Sequence, residues 1–130
     1  MKSDLEKASM AYDLEERTSV FGENIINFCK SLEHNFLSKI ILAQLLRSAT
    51  SVGANYIEAN NASSKKDFRN KIYICKKEAN ETRYWLKMIR KYNSSKELEI
   101  QSLLKEAHEF SLIFGKISAS LNKNLELKIK

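Results

Sequence analysis

The sequence predicts an all-α fold: an antiparallel up-down-up-down bundle of four helices forming a single domain over residues 1–130. Three observations predict it. Phe68, Ile72, Cys75, Ala79, Thr82, Leu86 and Ile89 step alternately by four and three, the seam a helix presents to neighbouring helices. Ile100, Leu103, Ala107, Phe110, Phe114, Ile117 and Leu121 form a second such seam. Proline is absent and glycine occurs three times in 130 residues, so the tight turns of a β-rich chain are not encoded. Amphipathic segments joined by short polar links pack as antiparallel neighbours.

Taken in order, residues 1 to about 13 lack a clear period and read as a loose arm. The first helix is expected from Leu14 to Leu32, with Phe21, Ile25, Phe28 and Leu32 at helical spacing. Thr18 and Ser19 are alternative N-caps for it. A short polar link, Glu33, His34 and Asn35, precedes a helix over Phe36 to Asn60. One broad face of that helix is apolar, from Leu42 and Leu45 to Tyr56 and Ile57. Its opposite side, Gln44, Ser48, Ser51, Asn55 and Glu58, is polar and nearly uncharged. Ser64 then caps a third helix reaching about Tyr92, and Asp67 stands where a capping box places its acid. Ser94 and Glu97 repeat that signature before the last helix, whose tail from Asn122 to Lys130 is expected to fray.

The chain carries 22 Lys and Arg against 16 Asp and Glu, a net charge of +6. Such a charge bears on solubility and on polyanionic partners, and carries no information about fold. It is also concentrated. Residues 65–91 hold ten bases against three acids, while the rest of the chain holds twelve against thirteen. No apolar run approaches the roughly 20 residues a membrane span needs, so no membrane association is expected. Cys29 and Cys75 are isolated and sit at apolar positions without CxxC spacing. They read as small core residues in a reducing, cytoplasmic compartment.

At 100° per residue the third helix divides into three stripes. The seam is one. A second holds Ile74, Glu78, Glu81, Trp85, Met88 and Tyr92. The third is a broad arc of Lys65, Lys66, Arg69, Lys76, Lys77, Arg83, Lys87, Arg90 and Lys91, with Tyr73 and Tyr84 among them. Lysine and arginine neutralise phosphates and release counterions, and tyrosines stack on unpaired bases, so the arc is a candidate nucleic-acid surface. The plainer reading is a solvated helix face. No base-reading motif is present. The small polar stripe of the second helix (Gln44, Ser48, Ser51, Asn55), with Trp85, Met88 and Tyr92, is a candidate interface between copies of the chain; for the aromatics the alternative is a wide core. Arg47, Glu58, Glu78 and Glu81 are expected to form a structural polar network.

Chemistry has little footing in these residues. A di-metal bundle requires Glu-x-x-His on two helices, but Lys105 stands three residues before His108 and His34 lies in a link. There is no phosphate loop and no nucleophile elbow. The expectation is a protein without catalytic residues, metal or cofactor.

Between Gln44 and Leu86 the chain resembles the bacterial four-helix proteins named for intervening sequences in 23S ribosomal RNA genes. Gln44-Leu45-Leu46-Arg47-Ser48-Ala49 matches the opening of that family's pattern. Asn55-Tyr56-Ile57-Glu58-Ala59 matches loosely, and Ser64-Lys65-Lys66-Asp67-Phe68 and Glu81-Thr82-Arg83-Tyr84-Trp85-Leu86 match closely. Ala59 stands where the family has glycine, and Asn35-Phe36 where it has Phe-Pro; both departures bear on loop geometry. The resemblance implies an antiparallel four-helix bundle that self-associates, often as a pentamer. It also implies similarity to accessory proteins of diversity-generating retroelements, which bind nucleic acid and a reverse transcriptase. The expected function is therefore a homo-oligomer that binds RNA or DNA non-specifically through the basic helix. The alternative is a scaffold docking an acidic partner protein, for example as a reverse-transcriptase accessory subunit.

Overall fold

The computed structural model describes residues 3–129, with the side chains of residues 7–12 and 124–129 outside that description. It is all-α, with no strand among the described residues. The helices are α1 (Asp4–Ser31), α2 (Phe36–Asn60), α3 (Lys65–Tyr92) and α4 (Glu97–Ile129), with a 3-10 turn at Ser94–Lys96.

The helix starts explain where the boundaries fall. Ser3 accepts from the Glu6 backbone while the Glu6 carboxylate accepts from the Ser3 N–H, a reciprocal box that starts α1 at Asp4. The backbone expected to be a loose arm is therefore helical from that point, and the expected frayed tail is helical to Ile129. Residues 1, 2 and 130 lie outside the described residues. Thr18 is no N-cap. It sits inside α1, fully buried, with its hydroxyl donating to the Leu14 carbonyl at 2.8 Å. Asn35 and Ser38 make a second reciprocal box at the start of α2. Ser64 caps α3 as expected, but the Asp67 carboxylate accepts from the Ser63 hydroxyl instead of completing a box. Before α4 the cap is Asn93, which accepts from Ser95; Glu97 turns instead to Arg90.

One continuous core joins the four helices. Phe21, Ile25, Leu45, Val52, Ile72, Leu86, Ile89, Ile100, Phe110 and Phe114 are essentially sealed from water. Phe21 and Phe110 meet edge-to-face at 5.4 Å between ring centres, and Phe110 stacks beside Phe114 at 6.2 Å. α2 packs against α1 and α3, α3 packs against α4, and α1 touches α4 more lightly. At that lighter contact Arg17 binds Glu106 and Glu109 and lies over the Phe110 ring. Hydrogen bonding to Glu106 drives the Arg17 guanidinium's pKa further up. Along α2 and α3 the contacts pair in opposite order: Ser48 with Thr82, Val52 with Cys75, Glu58 with Lys71. Ala59 is a buried helical residue, and no described residue has a positive φ, so replacing the family pattern's glycine with alanine strains nothing here.

Candidate nucleic-acid interface

α3 is long because nothing in it breaks a helix, and it is amphipathic because its seam repeats every seven residues. Ile72, Cys75, Ala79, Leu86 and Ile89 are fully buried. That packing fixes which positions face water. Beyond Asp67 in the first turn, the exposed positions of α3 are Asn70, Tyr73, Lys77, Asn80, Tyr84, Lys87 and Lys91, preceded by Lys65 and Lys66. None of them is acidic.

The carboxylates of α3 lie elsewhere. Glu78 is buried to 8% exposure and accepts from Arg47 Nη1 at 3.1 Å; Arg47 also pairs with Glu81. Both acids thus turn towards α2 and away from the lysine row. Glu58, expected in this network, pairs instead with Lys71 at 2.6 Å, a lysine absent from the candidate arc.

The nine basic candidates do not form one equal surface. Lys65, Lys66, Lys77, Lys87 and Lys91 are exposed, and Arg69, Lys76 and Arg83 half-buried, all without an ion pair among the described residues. Arg90 differs from the rest: its Nε donates to Glu97 at 3.0 Å, so its charge is partly cancelled. Lys76 lays its aliphatic stem beside Gly115 of α4, and Arg83 donates to Asn80 at 3.3 Å. Asn80 also accepts from Ser111 at 2.9 Å, which ties the row to α4. The neighbouring stretch of α4 therefore offers small uncharged groups, and no carboxylate cancels the middle of the row. Tyr73 is 62% exposed and Tyr84 52%; Tyr84 meets the edge of Trp85 at 5.0 Å.

The candidate self-association residues divide. Ser48 is corrected: it is fully buried, accepts from Thr82 at 3.0 Å and is closed off inside the α2–α3 contact. Ser51 and Asn55 are half-buried, and each bonds back to its own helix. Gln44 accepts weakly from Arg47. Trp85 and Tyr92 pack against the core while remaining partly open, and Met88 is half-buried. Trp85 donates to Glu81 at 3.4 Å. The Tyr92 hydroxyl is enclosed with no partner among the described residues.

What the sequence reading missed lies close by. Phe36 is 84% exposed, Leu37 55% and Ile40 53%, all on the first turns of α2. Their signal was available: α2 has three charged residues in 25.

Among the described residues no three His, Cys, Asp or Glu side chains converge on a point that could hold a metal. No helix is long and apolar enough to cross a membrane, among the described residues. His34 donates from Nε2 to the Cys29 carbonyl at 2.9 Å, and His108 is an exposed residue of α4.

The profile of the 23S rRNA-intervening sequence protein family matches residues 12–116. The chain belongs to that family. A crystal structure from Bacteroides thetaiotaomicron, described as a protein with unknown function from the S23 ribosomal protein family, is similar at 32% identity and a TM-score of 0.77. The match covers 84% of this chain and 97% of that one. Among curated proteins nothing matches this chain. The family match contains every motif that carried the resemblance, from Gln44 to Leu86, together with the exposed row of α3.

Proposed function

We propose that this family member is a non-enzymatic, homo-oligomeric protein that binds RNA or DNA without sequence preference through the outer face of α3. The observation that carries the reading is the exposed row Lys66, Lys77, Lys87 and Lys91, with no carboxylate among the exposed positions beyond Asp67. Cations on one rigid helix meet the regular charge of a phosphate backbone, and counterion release supplies the affinity. The order of the α2–α3 contacts supports an antiparallel up-down-up-down arrangement of the four helices. Copies associate through α2, whose exposed Phe36, Leu37 and Ile40 supply apolar area; a ring such as a pentamer would multiply the weak contacts of each subunit by avidity.

The test is retention of a mixed RNA and DNA pool as salt is raised. Binding is expected at low salt, falling steeply with added salt and indifferent to sequence. Replacing Lys66, Lys77, Lys87 and Lys91 with Glu should abolish it while helical circular dichroism is unchanged. Absence of retention at low salt would remove this reading and favour docking to an acidic partner protein.

A further inference from the structure

We propose that the strand this face takes is unpaired, with Tyr73 and Tyr84 as the platforms on which its bases stack. The inference rests on the nucleic-acid reading above and names the polymer. Tyr73 and Tyr84 are eleven residues apart, three turns of α3, so they share nearly one azimuth and stand about 16 Å apart along the axis. Both residues are more than half exposed, so their side chains are open to a ligand. Lys77 lies between them, and Lys66 and Lys87 flank them on the same face. Along the exposed face cations and rings are interleaved, with Asp67 of the first turn and the uncharged Asn70 and Asn80 between them: Lys66, Tyr73, Lys77, Tyr84, Lys87.

Duplex ligands have no use for the rings. Base faces in a duplex are covered by their neighbours, so an exposed tyrosine on a straight helix finds only phosphate, sugar and base edges. An unpaired strand offers a π-face at every base, and stacking on aromatics tolerates any sequence. Tyr84 is also braced. Its ring meets the Trp85 ring at 79°, and Trp85 is anchored against the core and to Glu81. A platform held this way loses less conformational freedom when a base settles on it.

The experiment uses the full-length protein and four probes matched in phosphate count: oligouridylate, oligothymidylate, an abasic deoxyribose-phosphate oligomer and a mixed-sequence duplex. Oligouridylate and oligothymidylate are expected to bind more tightly than the duplex and the abasic strand. Tyr73→Ala and Tyr84→Ala should each weaken single-strand binding by roughly ten-fold, leaving duplex binding and the salt slope unchanged. Tyr73→Phe and Tyr84→Phe should retain most of it, because the ring and not the hydroxyl does the stacking. Trp85, the one tryptophan of the chain, gives a second readout: oligothymidylate should change its emission and the abasic strand should not. The two unpaired probes separate RNA from DNA as the source. Equal binding of duplex and single strand, or alanine variants that bind like the parent, would overturn this inference and leave the lysine face standing. Failure of all four probes to bind at low salt would remove both.

Discussion

Thr82 occupies a seam position where an aliphatic side chain would fit the pattern, yet its hydroxyl has two uses. It lies 2.8 Å from the Glu78 carbonyl and 3.0 Å from Ser48 Oγ, with all of these groups removed from water. Ser48 in turn donates to the Leu45 carbonyl, so the small polar pair is satisfied within the α2–α3 contact. Gly53 shows the same economy of space on the other side of α2: a Cβ there would meet Thr18 Oγ1 at 3.3 Å. The two thiols are equally residents of the core. Burial pushes Cys29 up to about 11 and Cys75 up to about 12 from an ordinary 9.0. The sign follows directly. Above the ordinary thiol pKa the unfolded chain sheds protons that the folded chain keeps, so stability is intact below about pH 9 and declines as pH rises towards 11 and 12. Chemical denaturation midpoints at pH 7 and pH 10 should reveal that decline, and replacing both cysteines with Ala should reduce it. In the native state at pH 8 both thiols should react with alkylating reagents only as fast as the protein opens.

Among the elements, the start of α2 at Phe36 is legible in the sequence, whereas the start of α1 at Asp4 and the side chains that cap both helices are not. Ser3 with Glu6 and Asn35 with Ser38 are short-range pairs, but each resembles an ordinary polar stretch until the backbone brings N–H and side chain together. Asn35 stands where the family pattern carries a residue before its proline, and here a side-chain cap does the starting. Asn35→Ala should therefore cost about 1 kcal/mol. In a chain of this size that is a fall of about 4 °C in the melting midpoint, measurable by circular dichroism. The seams of α3 and α4 were legible because a heptad period repeated over seven positions leaves few alternatives. The same period assigned the exposed row of α3 by subtraction: once Ile72, Cys75, Ala79 and Leu86 are inside, Tyr73, Lys77, Asn80 and Tyr84 must be outside. It could not divide the basic arc. Arg90 lies on the flank facing α4, and only the position of Glu97 on that helix offsets part of its charge.

At the scale of the molecule, the apolar first turns of α2 remain uncovered in the single chain. A helix of this composition usually has neighbours on more sides than α1 and α3 occupy. On the proposal that copies associate there, light scattering should give a mass well above the 15.0 kDa of one chain. Phe36→Asp together with Ile40→Asp should reduce that mass to a single chain with helix content preserved, because both side chains are already largely in water. The same variant should lower nucleic-acid affinity more than any one lysine does, since avidity goes with the assembly. A parent protein that scatters as a single chain would remove the assembly and leave each α3 face to bind alone.

The sequence by itself determined the helices, their inward faces and the concentration of positive charge on the third. All of these depend on residue order along one chain and on a fixed 3.6-residue turn. Only the tertiary structure decided which charges remain uncancelled. Arg47 draws Glu78 and Glu81 towards α2, Glu58 takes Lys71, and Glu97 takes Arg90. Those pairings depend on which helix lies beside which and at what height. Electrostatic cancellation at the surface is screened beyond roughly 10 Å, and such proximity between helices is not written in the order of residues along any one of them.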